Sequence, residues 1–295
     1  MSEVLSQPSQ LDLYQRVTDE IVRALEAGAE QFVLPWHQVP QGLPRNVLTG
    51  EPYHGVNTLV LWAVGRTRHY STPYWATYRQ WQEVAAQVRK GEKATTVVFY
   101  KQVPLEAEDV ETGDVVQDYR LVARAFFVFN GDQVDGWKAP GPEPVDYVQN
   151  HDRIEDFVQC TGADVRSADD HAYYDRLGDF IMIPNRLRFL GSPTSSATEG
   201  YYSTLFHELV HWTGHDCRLA RKLEGRFGSE SYAMEELVAE LGAAFLCAEF
   251  LVPNKPRPDH AAYIDNWLRV LKGDKRAIFA ASTAAHKAVE FLHLY

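Results

Sequence analysis

A chain of 295 residues with 45% hydrophobic and 23% charged residues has ordinary globular composition, which excludes a disordered or fibrous polypeptide. Its 29 Lys+Arg against 40 Asp+Glu give a formal net charge of −11, an average that argues against nucleic acid or an anionic membrane as partner. Three cysteines (Cys160, Cys217, Cys247) are too few, and odd in number, for a disulfide-stapled secreted domain, and fit a reducing, cytoplasmic location. The N-terminus lacks the basic and apolar pattern of a signal peptide. The longest apolar stretch, Leu241 to Val252, is too short to span a bilayer and carries Glu249, so no membrane association is expected.

In chain order, Leu13, Val17, Ile21 and Leu25 recur every fourth residue, which predicts an amphipathic helix from about Leu11 to Ala27. Turn-rich sequence follows through residues 34–57, where Asn46 reads equally well as a turn residue or a surface polar group. Thr72 to Lys90 reads as one or two short aromatic-rich helices. Thr95–Tyr100 and Leu121–Phe129 read as strands, joined by an acidic segment taken as a solvated hairpin tip. KAPGPEPVD, from Lys138, is the best linker signal and places a domain boundary near 138–150. A helix near 151–160, short strands around Val165 and Phe180–Ile183, and helical sequence for nearly all of 199–295 complete the chain. The expected fold class is α+β, an α+β domain of residues 1–140 followed by a mostly α domain of residues 141–295.

The average charge hides an uneven distribution. Between Arg66 and Lys101 seven basic side chains face only Glu83 and Glu92, so this stretch is +5 inside a −11 chain. Aromatic rings are interleaved with those charges, and stacking rings beside cations are how single strands are held without sequence preference. A solvated helix with buried aromatics explains the same pattern. The better candidates for a surface groove are Trp75, Tyr78, Arg79, Arg89, Lys90 and Lys93.

The segment from Thr204 to His211 contains H-E-x-x-H in a helix-compatible apolar run. A spacing of four puts His207 and His211 one turn apart on one face, so both imidazoles can hold one Zn²⁺. Glu208 sits about 100° round the helix, where it serves as the base for hydrolysis. Gly214 then ends the helix as a C-cap. A third ligand is needed. The metzincin position is occupied by Cys217, which excludes that subclass, and His215 falls beyond the helix-ending glycine. The following helix, MEELVAELGAAFLC, carries Glu235, Glu236 and Glu240 beside a buried face, and buried carboxylates are costly without a cation. Glu236 is the choice for third ligand, a gluzincin-like arrangement, with Glu240 or Glu235 as a partner to a ligand imidazole or as the alternative ligand. A solvated helix edge explains Glu235 best. Tyr173, Tyr174, Tyr202 and Tyr232 are candidate oxyanion donors, and none is assigned. Ligand type favours Zn²⁺, with Mn²⁺ or Co²⁺ as alternatives.

With both halves read, the whole chain resembles the ArdC-type antirestriction proteins of conjugative plasmids. The resemblance rests on LPW (34–36), LPRNVLTGEPYHGVN (43–57), WATYRQ (75–80), VRKGEK (88–93), FFVFNGDQVDG (126–136), YYDRLGDFIMIP (173–184), YYSTLFHELVHWTGHDCRL (201–219), YAMEELVAELGAAFLC (232–247) and the Trp267–Lys275 segment. It implies an N-terminal single-stranded-DNA-binding domain, a C-terminal zincin-like metallopeptidase domain, and a role in shielding incoming plasmid DNA from host restriction. Two competing readings are a DNA-binding protein whose metal site is dispensable, and a metalloprotease whose N-terminal domain recognises protein, such as a host restriction component.

Overall fold

The structure, a computed structural model, describes residues 10–29, 42–108, 115–140, 147–168, 171–189, 196–221, 230–252 and 261–294. The LPW motif, the tip of the acidic hairpin and the centre of the proline-rich linker lie outside the described residues.

The first half begins with α1 (Gln10–Ala29), whose Leu13, Val17, Ile21 and Leu25 are buried at the expected four-residue spacing. Next come β1 (Arg45–Asn46), α2 (Val56–Thr67), β2 (Tyr74–Thr77), α3 (Tyr78–Glu83) and β3 (Gln87–Val88). The hairpin β4 (Thr95–Glu108) and β5 (Val115–Asn130) and the short β6 (Val134–Asp135) complete it. A four-stranded sheet has the order β1-β2-β5-β4, antiparallel except for the parallel β1–β2 edge. Asn46 serves the turn after β1, its Oδ1 accepting from Leu48 N (3.0 Å) and Thr49 N (3.2 Å).

The helices expected over Thr72–Lys90 form only in part. Trp75, Ala76 and Thr77 pair instead with Asn130, Phe129 and Val128, because an aromatic and β-branched segment beside an open strand edge gains more from the sheet. Thr77 then opens α3 by a capping box with Gln80. The pairing also fixes the ring of Trp75, which is 2% exposed and meets Tyr70 edge-on at 5.7 Å between centroids. Trp75 is therefore a core residue, which corrects its expected place in a surface groove.

The second half runs α4 (Tyr147–Cys160), β7 (Asp164–Ser167), β8 (Tyr173–Asp175), β9 (Phe180–Ile183), α5 (Ala197–Thr213), α6 (Glu230–Glu249), α7 (Ala261–Gly273) and α8 (Ala277–Leu292). β9 is the centre of a three-stranded sheet, parallel to β7 and antiparallel to β8, and α5 packs against it. The two halves share one apolar core. Trp62 of α2 meets Phe245 of α6 at 5.9 Å, α1 packs on both α2 and α7, and the Thr18 hydroxyl donates to the Lys275 carbonyl at 2.8 Å. Among the described residues no helix is long and apolar enough to cross a membrane.

The approach of α6 to α5 is set by Gly242. A Cβ there would lie 2.6 Å from Cγ2 of Val210, and a β-branched side chain has little χ1 freedom with which to yield. Gly242→Ala is expected to lower stability by about 1–3 kcal/mol, read as an earlier urea midpoint at unchanged slope.

Candidate metal centre

The helix that carries H-E-x-x-H is anchored at both ends. Ser196 and Glu199 form a reciprocal capping box, with Ser196 N donating to Glu199 Oε2 at 2.7 Å and Glu199 N to Ser196 Oγ at 3.2 Å. At the other end Gly214 is the C-cap, but with φ −79°, so the cap does not draw on glycine's left-handed freedom. Between the caps Leu205, Phe206, Leu209 and Val210 are buried, which turns His207 and His211 toward α6.

The two imidazoles and Glu236 converge. His207 Nε2 and His211 Nε2 are 3.2 Å apart, and each lies 3.6 Å from an oxygen of the Glu236 carboxylate. A tetrahedral ion with bonds of about 2.1 Å has ligand–ligand edges of roughly 3.4 Å, so this triangle matches one divalent cation. The outward nitrogens also meet carboxylates. His211 Nδ1 is 3.1 Å from Glu235 Oε1, while His207 Nδ1 is buried without a hydrogen bond among the described residues and has Glu240 Oε2 at 3.8 Å. The three glutamates thus divide the work: Glu236 faces both inner nitrogens, Glu235 backs His211, and Glu240 stands behind His207. Carboxylates behind ligand imidazoles fix tautomer and orientation.

Glu235 corrects the solvated-edge expectation, being only 8% exposed. What holds it is Arg221, which donates to both its oxygens (2.9 and 3.1 Å) and also to Thr213 Oγ1 (2.7 Å) and the Val210 carbonyl (2.6 Å). Arg221 was missed in the sequence because it lies in a short turn segment, far from any motif position. Of the four tyrosines, Tyr232 has a hydrogen bond at this centre, to Glu236. Tyr202 bonds His151 and Glu155, and Tyr174 bonds Asp179.

Electrostatics follow the geometry. Burial pulls the His211 imidazole down, but the Glu235 hydrogen bond and the charges of Glu236, Glu208 and Glu235 outweigh it and push its pKa up to about 9. Burial raises the Glu236 carboxyl, yet the facing His207 imidazole, the His211 charge and the Tyr232 hydrogen bond bring it down to about 2. Glu208 is itself buried, at 7% exposure. His215, beyond the helix, stays out of this cluster and sits 3.0 Å from Cys217 Sγ in a turn.

The candidate basic side chains sit on α3 and in the turn between β3 and β4. Tyr78 is half-exposed and Arg79 exposed, with Arg79 Nε 3.4 Å from Glu83. Lys90 and Lys93 are exposed, and Arg89 is tied to Glu92 at 2.9 Å and to Asp135 at 3.6 Å. On the hairpin, Phe99 and Phe126 meet edge-on at 5.3 Å, both exposed, with Arg124 directly across from Phe99. Phe126 and Arg124 lie outside the basic stretch, and only the strand register brings them beside Phe99.

A helix-borne histidine pair, a carboxylate from the next helix and a small covering sheet define a zincin-like domain, and a zincin-like metallopeptidase family model matches residues 152–284. The model of the N-terminal domain of the anti-restriction factor ArdC matches residues 11–129. The protein y4eC of Sinorhizobium fredii is 40% identical over 96% of this chain and 92% of its own length. A DNA primase TraC of Escherichia coli is 35% identical over 94% of this chain, which spans 19% of that protein. Crystal structures of the antirestriction protein ArdC from plasmid R388 match at TM-score 0.75 (metal-free, 39% identity, 96% of this chain and 97% of that one) and 0.76 (Mn(II)-bound, 37% identity, 95% and 97%). The chain belongs to the ArdC antirestriction family.

Proposed function

We propose that this chain binds single-stranded DNA, shields incoming conjugative plasmid DNA from host restriction, and hydrolyses peptide bonds at a divalent metal held by His207, His211 and Glu236. The observation that carries the catalytic half is the convergence of those three donors at metal-ligand spacing beside the buried Glu208. When bound, the ion supplies Lewis acidity that polarises a carbonyl and acidifies water. Glu208 accepts the proton at its carboxylate and returns it to the leaving amine. Glu235 and Glu240 keep the imidazole lone pairs aimed inward. The donor set suits Zn²⁺, and the Mn(II) of the R388 relative supports Mn²⁺ as an occupant here as well. That relative has been solved with and without metal, and this chain is equally similar to both, which favours a chemical over a fold-holding role for the ion.

The DNA half is supported by the exposed Tyr78, Arg79, Lys90 and Lys93, by the Phe99–Phe126 pair flanked by Arg124, and by relatives whose name, DNA primase, is that of a nucleic-acid enzyme. The test is affinity of the full chain for a fluorescent oligo-dT across a salt series. Affinity should fall steeply, with a log–log slope of about −0.7 for each phosphate neutralised, and a flat response would sink this half of the reading.

A further inference from the structure

A cleft of about 580 Å³ opens where the two halves meet, between α1, β4, α8 and the turn segment after α5. Tyr14 and Tyr100 come from the first half, and Arg221, Arg276, Phe279 and Lys287 from the second. Among the described residues its charged lining is Arg221, Arg276 and Lys287, with no carboxylate, in a chain of net charge −11. Arg276 and Lys287 are exposed, and the Arg276 guanidinium lies 5.6 Å from the centre of the Tyr14 ring. Tyr14 meets Phe279 edge-on at 4.5 Å, and the half-exposed Tyr100 touches it through the hydroxyls at 3.2 Å. The wall is thus aromatic and cationic together. A phosphodiester satisfies the cations and an unpaired base satisfies the rings, a combination that a duplex, with its bases stacked inside, does not offer.

Arg221 gives the cleft a second consequence. Arg221 lines the cleft, and its guanidinium holds both oxygens of Glu235, which in turn holds His211 Nδ1. A phosphate arriving at Arg221 competes with Glu235 for that guanidinium. Glu235 then keeps more of its negative charge for His211, which strengthens the imidazole as a ligand.

We infer that this junction cleft receives a nucleotide segment of single-stranded DNA, and that Arg221 and Glu235 link its occupancy to metal affinity at His211. The inference rests on the DNA-binding reading above and adds a place and a coupling to it. Linkage is reciprocal, so DNA tightens metal binding and metal tightens DNA binding by the same factor.

The experiment uses the full chain, a fluorescent oligo-dT and Mn²⁺ as the metal probe. Arg276→Glu with Lys287→Glu should weaken oligonucleotide binding at least tenfold and make the log–log salt slope shallower by about 1.4. Tyr100→Ala should weaken binding at least about fivefold with the slope kept, and it serves as the second variant should the charge reversals disturb folding. Saturating oligo-dT should tighten Mn²⁺ binding about fivefold in the wild type and leave it unchanged in the double variant. If the wild type fails to bind oligo-dT at all, the DNA reading falls and the cleft with it. Wild-type binding that neither variant weakens overturns the cleft alone. Unchanged Mn²⁺ affinity with the cleft filled overturns the link to His211.

Discussion

Replacing Glu208 by Ala is expected to leave metal content unchanged while hydrolysis of a protein substrate falls by roughly 10²–10⁴-fold, the usual contribution of a positioned acid–base group. The two effects separate because the donors converging on the centre are His207, His211 and Glu236, and Glu208 is not among them. Glu208 is buried on α5 between the two histidines, so truncating it removes a proton acceptor and leaves the caps and both imidazole partners of that helix in place. Elemental analysis and a casein-type assay on the same preparation give both numbers. The variant also decides what hydrolysis is for. Full protection of DNA from restriction by Glu208→Ala would make the metal chemistry dispensable for that role. Lost protection with intact oligonucleotide binding would tie antirestriction to peptide hydrolysis.

Glu236→Ala is expected to cost more than about 100-fold in metal affinity, beyond the 10–100-fold that loss of a group supporting a ligand usually costs. It removes the one carboxylate among the described residues that lies 3.6 Å from both inner imidazole nitrogens, and neither Glu235 nor Glu240 faces that point. Glu235→Ala should fall inside the smaller range, because it leaves three donors and loosens only His211. A metal titration of the two variants checks the order, and equal losses would remove the distinction drawn between them. The same titration carries a pH signature. The surrounding carboxylates raise the His211 imidazole to a pKa of about 9, and a metal must displace its proton. Affinity should therefore climb with pH toward about 9 and level off above it.

Much of the metal centre was legible in the linear sequence, because helical periodicity is a short-range rule. His207 and His211 had to share a face of any helix that buried Leu205 and Leu209, and Gly214 marked where that helix ends. The glutamates were legible only as a set. Glu235, Glu236 and Glu240 point in neighbouring directions around α6, and the local pattern cannot say which direction meets α5 at His207. Arg221, whose pairing explains the burial of Glu235, is held to it by contacts across a turn and carries no spacing signal at all.

The basic–aromatic stretch was less readable for a different reason. A ring that fills a core and a ring that stacks on a base are the same chemical group, so composition alone cannot sort them. Trp75 is buried and Tyr78 half-exposed although they are three residues apart, because β2 ends and α3 begins between them. The cationic cleft gathers Tyr14, Tyr100, Arg221, Arg276 and Lys287 from across the whole chain, so no window of sequence contains it.

By itself, then, the sequence determined the α+β class, the amphipathic helices and the histidine pair with its neighbouring glutamate, since each follows from residues within one or two helical turns. The tertiary structure alone decided which carboxylate faces both imidazoles, which one backs His211 through Arg221, and which aromatic rings reach the surface. Those choices depend on how α6 seats against α5 across Gly242 and Val210, and on which strand edge β2 joins. Both are packing outcomes between segments far apart in the chain, set by shape and burial rather than by any local pattern.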